Sequence, residues 1–462
     1  MKEYIGDTIV AVGTRSGEAA IGIVKLSGRE SVNIADKIFR SKNGRKIFEQ
    51  DTFSMVYGWI EDSGKNIVDE AIVTIMRAPA SYTREDIIEI NCHGGIVATS
   101  KVLELCIEAG ARIAGPGEFT KRAFINGRID LSQAEAVIDI INAKTEQSLK
   151  IAAKNLSGDI KEKMSKIKES VLEVLVQLEA AVDFIEEDLE TTPYEKLKEN
   201  ISKICDEIKL LIKDEEKGEI IKNGIKAAIV GKPNVGKSSI LNLLSKKEKA
   251  IVTEIPGTTR DAVEEILYIE GIPLILIDTA GIRDTDDRIE KIGVEKSLKQ
   301  IDDAELVIIV LDGSREFDDI DKKIIKKIEE KKTICCINKK DIRQKINIDN
   351  IAGHFPTENI IKISALKGNG VKELEERIKK MILDNGESGI EEKIIVNARH
   401  KNILKQIRNM MQKALEAMEN NLSEEFPSSD LRIAYDLIGE ITGETARDDI
   451  LDRVFSRFCI GK

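Results

Sequence analysis

At 462 residues the chain is long enough for about three domains, each with a core of its own. Its apolar content is 42%, yet the longest apolar stretches, such as LVIIVL at Leu306 to Leu311, have the length of strands, which excludes a helical membrane span. A formal net charge of −11 argues against an extended nucleic-acid footprint, so any RNA contact would be local or shared with a partner.

The N-terminus MKEYIGDTIVAVG interrupts its apolar positions with acids, Thr and Gly, so it does not read as a signal peptide, and a cytoplasmic protein is expected. The six cysteines show no CxxC and no metal-type spacing, which points to reduced thiols rather than a disulfide framework. Residues 1 to 118 mix short strand-like runs (TIVAV, IGIVKL, AIVTIM, IIEI) with Gly-rich turns and a helix at Ala98 to Ala109, an α+β pattern. From residue 145 to 213 the pattern is helical: Leu172, Leu175, Leu178, Val182, Ile185 and Leu189 form one stripe, and Ile201, Ile204, Ile208 and Leu211 another. Strands and helices then alternate over residues 217 to 383, as in a doubly wound sheet. After residue 385 helices return, with Ile403, Ile407, Met410 and Ala414 on one stripe, followed by Leu431, Tyr435 and Ile438.

The alternating segment carries the chemistry. GKPNVGKSS at Gly231 to Ser239 follows the apolar run IKAAIV and precedes a helix-like SSILNLL, the strand–loop–helix placement of a phosphate-binding loop. Glycines let backbone approach phosphate, amide N–H groups and a helix N-terminus meet its negative charge, Lys237 reaches the β and γ oxygens, and the Ser238 hydroxyl holds Mg²⁺. Further on stand DTAG (Asp278, Thr279, Ala280, Gly281), NKKD (Asn338, Lys339 and Asp341) and SAL (Ser364, Ala365, Leu366). The Asp341 carboxylate can accept from both N1–H and the 2-amino group of guanine, a donor pair adenine lacks, with Asn338 and Lys339 bracing the ring; the pattern therefore selects GTP.

The predicted architecture is an α+β N-terminal domain (residues 1–118), a central all-α helical domain in two parts (119–216 and 384–462), and an α/β P-loop GTPase (Ras-like) domain inserted at 217–383. Two independent helical bundles are the competing arrangement. The GTP site comprises Asn234, Val235, Gly236, Lys237, Ser238 and Ser239, a switch loop of Thr253, Glu254, Ile255, Pro256, Gly257, Thr258 and Thr259, and the three motifs above. Directly after DTAG stands Ile282, which cannot orient a water, so another group must do so; Asp284, Asp286, Asp287 and Glu290 are the candidates, and spacing does not choose among them. Asn234 offers an amide oxygen beside the phosphates, or caps a turn.

GKPNVGKSS, PGTTRD, DTAGIRDTDDRIEKIG, HGG at His93 to Gly95, PGEFTKRAF at Pro116 to Phe124, DLSQAEAV at Asp130 to Val137 and the terminal FCIGK together resemble the bacterial tRNA-modification GTPases of the MnmE, or TrmE, family. The resemblance spans nearly the whole chain. It implies a potassium-dependent GTPase whose G domains pair when GTP is bound, K⁺ doing the work of an arginine finger. By motif, the K⁺ ligands would be Asn234, Thr253, Ile255 and Thr258, Mg²⁺ would sit on Ser238 and Thr259, and Glu290 would be the water-orienting acid. The resemblance further implies a homodimer through the N-terminal domain, and a 5-formyl- or 5,10-methylene-tetrahydrofolate held by Lys25, Glu89, Arg128 and Lys462. Lys25 and Arg128 keep the charge of the family pattern but exchange Arg and Lys geometry. The implied partners are tRNA and the FAD-using protein MnmG (GidA), in a heterotetramer or larger complex. The implied reaction adds an aminomethyl or carboxymethylaminomethyl group to C5 of the wobble uridine of certain tRNAs.

Cys459 in FCIGK is a possible catalytic thiol or a buried structural cysteine, and the terminal residues are poor for prenylation. The basic run Arg399, His400, Lys401, Lys405, Arg408 reads as a solvated helix face or as a contact to tRNA or MnmG, and His93 as a turn residue. Two other readings compete with a GTPase-driven modification enzyme. A ribosome-assembly GTPase would want an RNA-binding motif and a basic balance, and a folate-dependent transferase would use GTP only for regulation.

Overall fold

The structure, a computed structural model, describes residues 6–15, 17–183, 194–247, 265–277, 301–383 and 394–462. It divides into two compact units: Met1–Ile141 with Ala153–Ile208 and Asn402–Lys462, and Asn142–Ala152 with Lys209–Lys401.

The first unit opens on a seven-stranded sheet built from β1 (Ile9–Val12), β2 (Ala19–Ser27), β3 (Phe39–Ser41), β4 (Ser54–Glu61), β5 (Ile67–Met76), β6 (Ile87–Gly94) and β7 (Arg112–Ile113), in the order β3-β4-β5-β6-β2-β1-β7. All neighbours are antiparallel except β1 and β7. Two helices, α1 (Ser31–Ile38) and α2 (Ile96–Glu108), cover one face. There Val24, Leu26, Val73, Ile75, Ile88 and Ile90 pack with Ile34, Val102 and Leu105. Side chains alternate along a strand, so Met55, Tyr57 and Ile72 fall on the other face, where they are exposed. The expected helix at Ala98 to Ala109 is α2, and the four expected strand runs lie in β1, β2, β5 and β6.

Helices follow: α3 (Glu118–Ile125), α4 (Leu131–Asn142), α5 (Glu146–Ser157), α6 (Asp159–Asp183) and α7 (Tyr194–Asn223). The buried stripe of α6 runs Ile160, Met164, Ile167, Val171, Val174 and Leu178, while Leu172, expected on it, is 40% exposed. Ile185 and Leu189 lie outside the described residues.

In the second unit a six-stranded sheet has the order β13-β12-β11-β8-β10-β9, from β8 (Ile225–Val230), β9 (Glu265–Ile269), β10 (Ile272–Leu276), β11 (Leu306–Asp312), β12 (Lys332–Asn338) and β13 (Ile360–Lys362). All pairs are parallel except β9 with β10. Its helices are α8 (Lys237–Lys247), α9 (Asp319–Ile328), α10 (Asp349–Ala352) and α11 (Val371–Ile382). Leu306, Ile308 and Val310 pack with Ile240 and Leu244 of α8 and Leu374 and Ile378 of α11. Val307, Ile309 and Leu311 pack with Ile324 and Ile328 of α9 and Ile351 of α10. Burial on both faces is why β11 reads as an unbroken apolar run rather than an alternating one. Neighbours of β8 on its two sides come from different points of the chain, which makes the carboxyl end of β8 the crevice where such sheets bind ligands.

The chain ends in α12 (Ala398–Glu419), α13 (Glu425–Thr442) and α14 (Asp448–Phe455). In the first unit α13 packs along α6, and Leu451, Val454, Phe455 and Phe458 form a core with Ala123, Leu131 and Ala134. The fold is thus an α+β N-terminal domain and helices, with a mainly parallel α/β domain lying in the chain between the two stretches of helices.

Candidate functional site

Strand β8 delivers its last residue, Val230, to a loop that ends where Lys237 opens α8. Gly231 has φ +146°, and a Cβ there would stand 2.4 Å from the Val310 carbonyl. Gly236 has φ +100°, and a Cβ there would stand 2.1 Å from Asn338 Nδ2. Both positions need glycine for space as well as for dihedral angle. Asn234, at φ +58°, is exposed at the crest of the loop. Lys237 Nζ donates to the carbonyls of Gly231 at 2.8 Å and Lys232 at 2.7 Å, closing the loop on itself. Burial pulls the Lys237 ammonium down to about 8.

The base-reading motifs are tied to this loop. Asn338, 3% exposed at the end of β12, donates from Nδ2 to the Val235 carbonyl at 2.8 Å. Its Oδ1 accepts from the Ala365 N–H at 2.9 Å. One amide therefore joins the phosphate loop to the SAL loop. Ser364, fully buried, donates to Asp341 Oδ1 at 2.6 Å and holds that carboxyl below its ordinary range. Lys339, at φ +64°, forms an ion pair with Asp312 Oδ2 at 2.6 Å. Sequence reasoning did not select Asp312, which sits opposite Asn338 in the β11–β12 register. The one signal was an acid ending an apolar strand at the ligand-binding edge of the sheet.

Val235 and Ala365 are partly or fully buried against the core, Ser238 and Ser239 occupy the first turn of α8, and Leu366 is exposed. Thr253, Glu254, Ile255, Pro256, Gly257, Thr258, Thr259, Asp278, Thr279, Ala280, Gly281 and Glu290 lie outside the described residues. Of the expected metal ligands the structure describes Asn234 and Ser238. Their donors, an amide oxygen on a left-handed turn and a hydroxyl beside Lys237, suit hard cations at a phosphate.

A second cluster lies in the first unit. The β2–β6 pairing sets Lys25 opposite Glu89, with 3.7 Å between Nζ and Oε1. Lys25 Nζ stands 4.9 Å from the Tyr82 ring centre and 5.2 Å from that of Phe119, and the Arg128 guanidinium is 4.7 Å from the Tyr82 ring. Burial, aided by the charges of Lys462 and Arg128 and opposed by Glu89, lowers the Lys25 ammonium below its ordinary value. So the four expected residues, Lys25, Glu89, Arg128 and Lys462, converge, around an aromatic ring that sequence reasoning missed.

The terminal segment is held by backbone: Phe119 N–H donates to the Lys462 carbonyl at 3.1 Å, and Gly117 N–H to that of Cys459 at 3.3 Å. Gly461 has φ +96°, and a Cβ there would meet the Val12 carbonyl at 2.5 Å. The donor set fits a planar, anionic ligand such as a folate: cations for carboxylates, an acid for amino groups and an aromatic face.

Three expectations are corrected. Cys459 is exposed, so the buried structural role does not hold for it. His93 lies in β6 rather than in a turn, and its Nδ1 meets Asp69 Oδ1 at 2.6 Å. In the basic run, His400 is 1% exposed and Lys401 pairs with Glu215 at 2.7 Å, so these two residues form no solvated face.

Residues 8–128 match the TrmE N-terminus family model and residues 131–459 the MnmE helical domain model. A tRNA modification GTPase MnmE of Clostridioides difficile is 45% identical over 459 residues, 99% of this chain and 100% of that one. The protein of that name from Thermoanaerobacter pseudethanolicus is 47% identical over 457 residues, 99% of each chain. Among solved structures, the G domain of the T. maritima FeoB iron transporter covers 34% of this chain and 98% of its own at 27% identity and a TM-score of 0.25. With both family models and full-length relatives in agreement, the chain belongs to the MnmE family of tRNA modification GTPases.

Proposed function

We propose that the protein is a potassium-dependent GTPase that, with the FAD protein MnmG, adds an aminomethyl or carboxymethylaminomethyl group to C5 of the wobble uridine of certain tRNAs. The observation that carries the GTP part is the Asn338 amide, which joins the loop that would cradle phosphate to the loop beside Asp341. Asp341, oriented by Ser364, would accept the guanine N1–H and 2-amino hydrogens. Lys237, anchored on the Gly231 and Lys232 carbonyls by two of its three donors, would reach the β and γ phosphate oxygens with its charge and the remaining donor. Asn234 with Thr253, Ile255 and Thr258 would hold K⁺, Ser238 with Thr259 would hold Mg²⁺, and Glu290 would orient water. The two cations, when bound, supply charge neutralisation at the phosphates.

In the first unit Lys25, Arg128 and Lys462 would take the carboxylates of a 5-formyl- or 5,10-methylene-tetrahydrofolate. Glu89 would accept from its pterin, and Tyr82 would offer a face for stacking. The folate, when bound, supplies the one-carbon unit. A homodimer is supported by the exposed apolar side chains on the sheet face opposite α1 and α2, where Met55 is 71% and Tyr57 44% exposed. Chemistry on tRNA supports a cytoplasmic location. No described helix is long and apolar enough to cross a membrane.

The test is reconstitution of modification with MnmG, tRNA, GTP and carbon-labelled folate, read by nucleoside mass spectrometry. Labelled C5-substituted uridine with wild type, and none with Glu290→Ala, is the expected result. Full modification by a Glu290→Ala protein that no longer hydrolyses GTP would instead make this a transferase with GTP in a regulatory role.

A further inference from the structure

Lys232, the second residue of the phosphate loop, has no part in the nucleotide contacts above. Its side chain is 12% exposed, and its ammonium donates to Asp318 Oδ2 at 2.9 Å and to Asp321 Oδ2 at 2.7 Å. Those carboxylates form a reciprocal cap on α9. Asp318 Oδ1 accepts from the N–H groups of Ile320 at 2.9 Å and Asp321 at 3.3 Å, and Asp321 Oδ2 accepts from the Asp318 N–H at 3.3 Å. The Asp321 side chain is 5% exposed, and its Oδ1 has no hydrogen-bond partner among the described residues. A capping box alone needs no second carboxylate at this degree of burial; here one ammonium from the phosphate loop is what compensates it.

The backbone of the same residue is held too, because its carbonyl is one of the two that Lys237 binds. The Lys237 ammonium has three donors and spends two on these carbonyls, so the third is what it can offer to phosphate, and the Lys232 side chain is a separate hold on this limb of the loop. We propose that Lys232 is a positioning residue for GTP: its ammonium ties the phosphate loop to the cap of α9 and keeps the loop shaped for the nucleotide. The proposal rests on the nucleotide reading of the loop. A pre-shaped loop favours bound substrate and transition state alike, so its loss appears in KM and in nucleotide affinity rather than in kcat.

The test is Lys232→Met in the full-length protein, with mant-GDP titration, steady-state GTP turnover and thermal unfolding. Losing one buried charge-assisted contact is expected to raise Kd and KM about tenfold while kcat changes less than about twofold. Lys232→Arg is expected to restore most of the affinity, since the guanidinium can still span two carboxylates. Asp321→Asn, which keeps the shape and removes one charge, is expected to raise Kd about threefold, and it stands in should Lys232→Met fail to fold. An unchanged Kd in a folded Lys232→Met, or in Asp321→Asn if the first variant unfolds, overturns the proposal, as does a fall in kcat at unchanged KM. Lys237→Ala separates the two levels. If it still binds mant-GDP at wild-type strength, the nucleotide reading itself is wrong; if it does not while Lys232→Met does, only the tether is.

Discussion

Asn338 and Val235 are 103 residues apart in the chain, yet the side-chain amide of the first donates to the backbone carbonyl of the second at 2.8 Å, inside the fold of the GTPase domain. The contact explains why Gly236 must be glycine, since a Cβ there would strike the same Nδ2. Replacing Asn338 by Ala leaves the Val235 carbonyl and the Ala365 N–H unpaired, at a cost of about 1 to 3 kcal/mol each. We expect mant-GDP affinity to fall at least about tenfold, measured by fluorescence titration. Unchanged affinity would show that the two loops do not depend on this amide.

Lys237 gives a pH signature. Its ammonium has an ordinary value of 10.5 and is held at about 8 by burial. Below about 8 it is charged in the folded and unfolded chain alike, so the burial penalty is present in full. Between about 8 and 10.5 the unfolded chain binds a proton that the folded chain does not, so this group makes the nucleotide-free protein more stable as pH rises through that window. GTP, whose phosphates restore the charged form, should then bind with proton uptake at a pH above about 8. Calorimetry in buffers of different ionisation enthalpy measures that uptake, and Lys237→Met should abolish it.

Lys25 Nζ stands 4.9 Å and the Arg128 guanidinium 4.7 Å from the centre of the Tyr82 ring, whose hydroxyl is 3.0 Å from Thr120 Oγ1. Tyr82→Ala should weaken tetrahydrofolate binding about tenfold through loss of two cation–π contacts and a stacking face. Tyr82→Phe, which keeps the ring, should stay within about threefold. Calorimetric titration with 5-formyl-tetrahydrofolate measures both, with GTP turnover as the control that should not move.

His93 is raised above its ordinary value of 6.5 by its hydrogen bond to Asp69. The stability it contributes is therefore fully present below the unfolded value and is lost as pH rises through the folded one. A histidine NMR titration should place His93 higher in wild type than in Asp69→Asn. Coincident titrations would rule out the ion pair.

The nucleotide loops were legible because their requirement is local. Glycine at Gly231 and Gly236 answers a positive φ within the loop, a need the loop sequence itself marks, although the close approaches of Val310 and Asn338 to the same glycines come from distant strands. Asp312 and Tyr82 were not legible, because nothing near them in sequence marks them. Asp312 meets Lys339 only through the β11–β12 register, and Tyr82 meets Lys25 and Arg128 only once separate segments come together. Strand β4 was missed for a related reason. Met55, Tyr57 and Trp59 on its outer face are as apolar as Val56 and Ile60 on its inner one, which erases the period of two. On α6 the apolar residues Val171 and Leu172 are adjacent, and only packing decides that the first is buried and the second is not.

The central claim is tested most directly by GTP turnover in KCl against NaCl at equal ionic strength, with Asn234→Ala and Glu290→Ala beside the wild type. The expected result is strong activation by K⁺ in the wild type and its loss in both variants. Turnover indifferent to the cation, with Glu290→Ala hydrolysing normally, would contradict the catalytic assignment.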